Sequence, residues 1–278
     1  MFIMLIIFFL FCTNNELQDS ALKKYNIDKK ESDEIELPSA LNEISGLAVD
    51  ANGRLFAHND EKAVIFEIDP TTGLVKKKFF VGKWWAVEDD FEGIAIAGEN
   101  FYLATSSGNI FEFMEGDDDK MVDFILYKTG LSSKNNVEGL CYDGELNALL
   151  VACKEDPGKG YKDERAVYRF SLKEKKLIEK PLFTISLKEL KKHFDLKNFF
   201  PSGIDIHPVS KTFFVISSKG ENAVIEISRS GEIIAAEKLP GKIHRQPEGI
   251  SFLNDNTLVI SNEASGKKPN IVKYTYKK

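Results

Sequence analysis

Apolar and polar residues alternate with a period of two along most of this chain, in short stretches separated by polar turns. The stretch from 91 to 128 shows the pattern best, because four segments follow one another there: FEGIAIAG, NFYLATSS, NIFEFM and VDFILYK. Such alternation is typical of half-buried β-strands, whereas an amphipathic helix would repeat about every 3.6 residues. We therefore predict units of four short antiparallel strands joined by turns.

One short phrase recurs in every unit, and its spacing indicates the architecture. It reads EISGLA, FEGIAI, VEGLCY, PSGIDI and PEGISF, and its glycines stand at positions 46, 93, 139, 203 and 249. The steps between these glycines are 47, 46, 64 and 46 residues, and a period in the mid-forties is typical of four-stranded propeller blades. Such units bury their faces by packing around an axis. Residues 33–278 are thus predicted to form an all-β, five-bladed β-propeller. We expect the protein to be a monomer.

The two ends of the chain predict how the ring closes. The last unit contains three strands, while an extended segment at 34–38, EIELP, precedes the first unit. We expect this N-terminal segment to be the outer strand of the last blade. The long step between glycines contains a charged insert at 155–165 and a second insert at 186–200, where leucines recur near helical spacing after Ser186, a suitable N-cap. One short inserted helix is therefore predicted.

The first twelve residues resemble a bacterial export signal. Residues 1–11 are all apolar, a run too short to span a bilayer as a mature helix, and Cys12 follows directly. This order is similar to a bacterial lipoprotein signal, in which the cysteine becomes the lipidated N-terminus. The run lacks Lys and Arg, so an uncleaved anchor and plain secretion stay open as alternatives. We expect a protein of the cell envelope, anchored outside the cytoplasm, with residues 13–32 as a flexible polar tether.

Charge and cysteine content exclude two kinds of site. The 37 Lys and Arg are interleaved with 43 Asp and Glu, for a net charge of −6, which argues against a nucleic-acid surface. Cys141 and Cys153 fall on adjacent strands of one hairpin but out of register, beyond the reach of a disulfide. We predict that both are free structural thiols. The histidines and cysteines also lack the spacing of a zinc site.

Acidic residues recur at one end of the predicted inner strands. In a propeller the inner strand begins where the second strand ends, so both positions converge on the mouth of the central tunnel. Carboxylates brought together there repel one another, and Ca²⁺ with oxygen ligands relieves the repulsion. The hypothesis is a calcium site with Glu92, Glu138 and Glu248 as first-choice ligands and Asp60, Glu155 and Glu263 as further ligands.

Other roles for these residues stay open. Each glutamate could instead bond the neighbouring blade or pair with Lys154 or Lys219, which would make the phrase a structural joint. Trp84 and Trp85 could form a ligand platform, although an aromatic pair that caps the packing of the blades is the favoured interpretation. His58 could act as a base at the mouth, or be a hydrogen-bonded rim residue. The GxSxG, HExxH and GxxxxGK[ST] motifs are absent from the sequence.

As a set, the phrases EISGLAVDANGRLFAHNDE, DFEGIAI, NVEGLCYD, FPSGIDIHP and QPEGISF resemble the SdiA-regulated (YjiK-like) family of bacterial envelope proteins, from about residue 34 to 276. The resemblance implies a five-bladed propeller distantly related to NHL-repeat rings, a calcium site and an association with the cell envelope. The glutamates of the family's EG positions fall on Glu92, Glu138 and Glu248, and its acidic second-strand ends fall on Asp60, Glu155 and Glu263. The second blade departs from the pattern, with TSSG at its second-strand end.

Three functions are compatible with these residues. The favoured one is a non-catalytic calcium-binding module that presents the tunnel mouth to an unknown protein or small-molecule ligand. The alternative is a calcium-dependent hydrolase, either phosphoesterase-like (as in phytases) or lactonase-like, because a tunnel-mouth cation can polarise a substrate oxygen. The third is a structural scaffold without metal.

Overall fold

Five antiparallel sheets surround a common tunnel in the computed structural model of the protein, which describes residues 19–27 and 32–277. Blade 1 contains β2 (Ile44–Val49), β3 (Leu55–Asn59), β4 (Val64–Ile68) and β5 (Val75–Val81), and blade 2 contains β6 (Phe91–Ala97), β7 (Asn100–Thr105), β8 (Asn109–Met114) and β10 (Phe124–Lys128). A two-residue strand between them, β9 (Met121–Val122), pairs in parallel with β5. These pairings confirm the four strands predicted for each unit.

The other three blades repeat this order. Blade 3 contains β11 (Val137–Asp143), β12 (Ala148–Cys153) and β13 (Glu164–Ser171), with β14 (Lys176–Leu177) and β15 (Phe183–Ser186) along its outer edge. Blade 4 contains β16 (Pro201–Ile206), β17 (Phe213–Ser217), β18 (Ala223–Ile227) and β19 (Ile233–Lys238), and blade 5 contains β20 (Pro247–Phe252), β21 (Leu258–Asn262), β22 (Asn270–Tyr274) and β1 (Asp33–Glu36). Each inner strand contacts the inner strands of both neighbouring blades, so the five-bladed propeller is confirmed as a closed ring.

The N-terminal strand closes the last blade as predicted. Strand β1 pairs antiparallel with β22, and Ile35 lies opposite Ile271. Just beyond the strand, the Leu37 N–H donates to the carbonyl oxygen of Pro269 at 2.8 Å, and the Leu37 side chain is buried against blade 1. Both ends of the ring sequence are therefore held in one sheet.

The predicted inserted helix is α1 (Leu187–Phe194). Ser186 caps it, because its Oγ accepts the Glu189 N–H at 3.3 Å, and the helix ends at Asp195 in a left-handed conformation. Leu190 is the buried residue of the helix, and it packs into the cluster between blades 3 and 4. The insert thus adds to a core between two blades.

The core of the molecule lies between adjacent blades. Phe56 of blade 1 meets Phe101 of blade 2 edge to face, with ring centroids 5.0 Å apart, and both side chains are buried. Aromatic pairs of this geometry contribute about 0.5–1.5 kcal/mol beyond their buried area. The buried, free side chains of Cys141 and Cys153 belong to two such clusters, in agreement with the prediction of structural thiols.

Residues 19–27, which we call the strap, are folded onto the ring. They include a 3-10 helix, Leu22–Tyr25, and the side chains at both ends of this helix are buried in the cluster between blades 4 and 5. The structure therefore corrects the expectation of a flexible tether over 13–32 at these residues. Their sequence is polar on average, but its few apolar side chains find partners on distant strands.

The predicted export segment, residues 1–12 with the lipidation site Cys12, lies outside the described residues. So do 13–18 and 28–31, the remaining parts of the expected tether up to residue 31. Within residues 19–27 and 32–277, no helix has the length and apolar character that crossing a membrane requires.

Candidate functional site

A β-bulge occurs at the same place in all five inner strands. The pairing register shifts around the residue that precedes the repeated glycine. A bulge of this kind inserts an extra residue and re-aims its side chain. The residues at this position are Ser45, Glu92, Glu138, Ser202 and Glu248. The period-two alternation of apolar and polar residues does not predict the bulge, although the recurrent phrase marks its position.

The glycine after the bulge lets neighbouring inner strands touch near the axis. A Cβ atom at Gly93 would lie 2.8 Å from the Cβ and 2.9 Å from the N atom of Leu140 in the next blade. At Gly249 the corresponding distances are 2.8 Å and 2.9 Å to the Cγ and N atoms of Leu47. Real Cβ contacts are longer than this, so a larger residue would push the blades apart. Close approach of the strands is what brings the bulged glutamates together.

The three bulged glutamates share one partly enclosed environment. Burial, and next the nearby Glu138, raise the pKa of Glu92 to about 8, while Ser45 Oγ donates to its Oε2 atom at 2.9 Å. Burial likewise raises the pKa of Glu248 to about 7, although Lys154 opposes this shift. Ser218 Oγ donates to Glu248 Oε2 at 3.3 Å. The carboxyl groups are thus close enough to influence one another's protonation.

Lys154 is the cation nearest to this group. Its Nζ atom lies 3.0 Å from Glu138 Oε1, and its side chain is only 14% exposed. Burial raises the pKa of Glu138 to about 7 even with this ammonium beside it. Burial acts to lower the pKa of Lys154, but Glu138 and Glu248 outweigh it, so that pKa is raised. Lys154 is therefore charged and compensates part of the negative charge.

Two of the further predicted ligands lie beside the bulged glutamates. Burial, and next Glu248, raise the pKa of Glu263 to about 9, and Gln246 Nε2 donates to Glu263 Oε2. The pKa of Asp60 is also raised, chiefly by burial. The Oδ1 atoms of Asp60 and Asn59 are buried and have no hydrogen-bond partner among the described residues. We call Asp60, Glu92, Glu138, Glu248 and Glu263 the acidic mouth.

Glu155 is the predicted ligand that the structure does not bring into this group. Its Oε1 atom accepts from Lys219 Nζ at 3.1 Å, and its side chain is 40% exposed. Of the lysine pairings considered as the alternative role of the bulged glutamates, that of Glu138 with Lys154 is present, whereas Lys219 pairs with Glu155 instead of a bulged glutamate. Within the described part of the chain, no three His, Cys, Asp or Glu side chains stand ready to hold a metal ion.

Residues that the sequence reading missed support the acidic mouth from one repeated position. Asn136 Nδ2 donates to Glu138 Oε1 at 2.7 Å, and Gln246 donates to Glu263. Both residues stand two positions before a bulged glutamate. The same position in blades 1 and 2 is acidic, and these two residues raise the pKa values of mouth carboxyls: Glu43 and Asp90. A sequence signal therefore existed at the upstream border of the repeated phrase, two residues before the position of the bulged glutamates.

The tunnel narrows directly behind the acidic mouth. The repeated glycines and the apolar residues after them leave a cavity of only about 10 Å³. That is about the smallest volume that can hold a water molecule. A separate cavity of about 240 Å³ lies at the opposite end, which we call the far end. There Asp205 is half-buried and accepts from Ser251 Oγ at 2.9 Å. A ligand of the acidic mouth would therefore enter from the mouth side.

His58 does not fit the role of a base at the mouth, and the two tryptophans do not fit the role of a packing cap. His58 is completely buried, its Nδ1 atom lies 2.9 Å from the carbonyl oxygen of Asn59, and burial lowers its pKa to about 4. It is neutral and out of reach of a substrate at the mouth. Trp84 and Trp85 are 86% and 77% exposed. The favoured interpretation of this pair as a cap on blade packing is therefore wrong.

Solved structures with the same fold include several propeller proteins. The Myxococcus xanthus glutaminyl cyclase is 12% identical, with a TM-score of 0.56 over 87% of this chain and 93% of its own. The PQQ-bound aldose sugar dehydrogenase of Streptomyces coelicolor is 15% identical, with a TM-score of 0.52 over 90% of this chain and 99% of its own. A luciferin-regenerating enzyme is 11% identical, with a TM-score of 0.54 over 88% and 95%. At these identities the likeness concerns the fold alone.

The sequence comparisons are more specific. No curated protein matches the chain significantly. The family model described as SdiA-regulated matches residues 183–277, which contain blades 4 and 5 up to the end of β22 and the outer edge of blade 3. The PSGIDI and PEGISF phrases, with Glu248 of the acidic mouth, lie inside this match. The predicted resemblance to the SdiA-regulated family is thereby confirmed over residues 183–277.

Proposed function

We propose that this protein is a non-catalytic, calcium-binding propeller of the cell envelope that presents its acidic mouth to a partner or small ligand. One observation carries the proposal. Burial raises the pKa values of Glu92, Glu138, Glu248 and Glu263 to between about 7 and about 9, because negative charge is crowded where water is scarce. A bound cation would relieve this crowding.

The donor chemistry favours calcium over zinc. The acidic mouth offers carboxylate oxygens and the buried, unpartnered Oδ1 atoms of Asn59 and Asp60, and Ca²⁺ takes six to eight oxygen ligands in irregular geometry. Lys154 already neutralises part of the charge through Glu138. Calcium binding would therefore require the Lys154 ammonium to turn away from Glu138. In the metal-free protein, Lys154 would take the place of the cation.

The non-catalytic role rests on what surrounds the acidic mouth. His58, the histidine considered as a base, is buried and neutral. The enzymes among the structural neighbours share the fold at identities of 11–15%, which supports no transfer of activity. The export-like segment before the ring supports the proposed envelope attachment through Cys12.

Melting temperatures in calcium and in chelator test this function. Ligand at 100 times its dissociation constant stabilises a protein by about 2.7 kcal/mol, so calcium should raise the melting temperature and the chelator should lower it again. Glu248→Gln should remove the calcium response. Glu155→Gln is the matched control, because its carboxylate pairs with Lys219 outside the acidic mouth, and it should respond like the unmodified protein. No response to calcium in the unmodified protein, with no metal in elemental analysis, overturns the proposal.

A further inference from the structure

The strap lies across the far end of the ring. Tyr25 OH donates to the carbonyl oxygen of Asn256 at 2.8 Å and lies 3.0 Å from His207 Nε2. Asn256 belongs to the turn after inner strand β20, and His207 follows inner strand β16. Inner strands run from the acidic mouth to the far end, so both contacts are at the far end. The Lys277 N–H, beyond the last strand, also donates to the Lys24 carbonyl oxygen at 3.1 Å.

Glu226 holds the strap to the ring. This residue is completely buried in β18, the third strand of blade 4. Its carboxylate accepts from Ser20 Oγ at 2.7 Å, from the Leu22 N–H at 2.9 Å and from the Ala21 N–H at 3.2 Å. Among the described residues, Thr212 Oγ1 at 2.8 Å is the donor that the ring itself supplies. The strap thus supplies three of the four described hydrogen bonds to the Glu226 carboxylate, and loss of that carboxylate would leave two main-chain N–H groups of the strap without their acceptor, which is costly.

The equivalent residue of blade 2 shows that this arrangement is specific to the strap. Glu112 stands in the third strand of that blade, and the donors to its carboxylate come from the ring: Lys175 Nζ at 2.7 Å, Tyr127 OH at 2.7 Å and Tyr102 OH at 3.0 Å. The described donors to Glu226 include no lysine or arginine side chain. The carboxylate of Glu226 is therefore built to receive main-chain N–H groups of the strap.

The position of the strap fixes where the N-terminal segment leaves the ring. Seven residue steps separate Cys12 from Asp19, a span of at most about 25 Å. If the strap detached, Asp33 would become the first residue held by the ring, and the chain from Cys12 to Asp33 could span up to about 75 Å. A chain of this size has a radius of gyration of about 19 Å. The short span keeps the far end next to the anchor, whereas the long one would let the ring turn over.

We propose that the strap orients the propeller on the membrane, with the far end towards the lipid and the acidic mouth facing away from it. The proposal rests on the anchor at Cys12 that forms part of the proposed function. It assigns to Glu226 the role of a docking residue for the strap. It also makes the acidic mouth accessible to soluble ligands. The exposed Trp84 and Trp85, on the loop that leads to β6 at the mouth side, would favour the reverse orientation if they entered lipid.

Fluorescence quenching from the bilayer distinguishes the two orientations. Protein purified from membranes with its lipid is placed in phosphatidylethanolamine and phosphatidylglycerol vesicles that contain brominated acyl chains. A fluorophore is attached to Asn254→Cys at the far end or to Ser133→Cys in the loop before β11 at the mouth side. Cys141 and Cys153 are buried and do not compete for the label. We expect stronger quenching at position 254. Equal quenching, or stronger quenching at 133, overturns the orientation.

Two carboxylate variants then test the strap. Glu226→Gln should increase hydrogen exchange at the Ala21 and Leu22 amides and abolish the difference in quenching between the labels. Glu112→Gln removes the equivalent, partly buried carboxylate of blade 2 and should preserve that difference. A difference that survives in Glu226→Gln although both amides exchange freely overturns the strap's role.

Membrane association of the Cys12→Ala protein separates this inference from the proposed anchor. If it no longer binds vesicles, the anchor is supported and the quenching result stands on its own. If it still binds with the same difference between the labels, lipidation at Cys12 is wrong while the orientation holds. Failure of the unmodified protein to bind vesicles overturns anchor and orientation together, whereas protected Ala21 and Leu22 amides would still show the strap docked on Glu226.

Discussion

The Lys154 ammonium lies 3.0 Å from the Glu138 carboxylate and is also influenced by the carboxyl groups of Glu248 and Glu92. Removing one partner of a buried ion pair typically costs about 3–5 kcal/mol. We therefore expect Lys154→Met to lower the free energy of unfolding of the metal-free protein by about 3 kcal/mol near pH 8, measured by urea denaturation. The same variant should bind calcium more tightly, because its ligands no longer have to release the ammonium.

Lys219→Met is the matched control for that variant. The Lys219 side chain is 62% exposed in its pair with Glu155, and such surface pairs contribute about 1 kcal/mol or less. Its unfolding free energy should therefore change little. Similar losses in the two lysine variants would show that the Lys154–Glu138 pair has no special place in the acidic mouth.

Stability should also depend on pH in a defined direction. Burial is the main cause that raises the pKa values of Glu92 to about 8 and Glu263 to about 9 in the folded protein, from an ordinary value of 4.5. Between these limits the folded protein holds more protons than the unfolded chain, so its stability falls as the pH rises. Melting temperatures of the metal-free protein from about pH 5 to pH 9 should decline, and Glu263→Gln should flatten the decline. A profile that rises over this range would contradict the assignment.

The exposed tryptophans provide a test in which substitution is expected to leave the stability nearly unchanged. Trp84 is 86% exposed, so Trp84→Ala removes little buried surface. Surface substitutions of this kind usually change the unfolding free energy by no more than about 0.5 kcal/mol. Phe101→Ala, in the core between blades 1 and 2, should instead cost about 3–5 kcal/mol. A large loss from Trp84→Ala in thermal melts would restore the packing role.

Ring closure by the N-terminal strand predicts a global effect from a residue near the start of the ring. Leu37 is buried beside the end of β1, and Leu→Ala changes in cores cost about 2–5 kcal/mol. Leu37→Ala should lower the melting temperature of the whole ring in one transition, as followed by circular dichroism. Glu36→Ala, which removes an exposed pair with Lys268, is the control. A separate early transition in Leu37→Ala would mean that blade 5 opens alone.

The sequence predicted the ring well because blades are local units. Each four-stranded sheet is built from residues close together in the chain, and the N-cap of α1 at Ser186 is likewise a short-range feature. The closing strand was recognisable because the last unit contains only three strands, while the extended segment at 34–38 belongs to no unit of its own. Period-two alternation and repeat spacing are sufficient for these inferences.

The candidate site was only partly predictable, for reasons of geometry. Glu92, Glu138 and Glu248 were found because the repeat marks them, but the bulge that aims them was not. Glu155 was grouped with the ligands because it follows the end of a strand, and that position did not reveal that its side chain pairs with Lys219. The strap escaped the sequence reading because its burial depends on Glu226, about two hundred residues away. Such long-range contacts leave no local periodicity.

The pairing of β1 with β22 also has a consequence for biogenesis. Of the strands in the ring, β1 is synthesised first and its partner β22 last. The ring therefore cannot close before β22 has emerged, whether from the ribosome or across a membrane. Until then β1 has no strand to pair with, and the ring stays open in a form suited to passage as an extended chain.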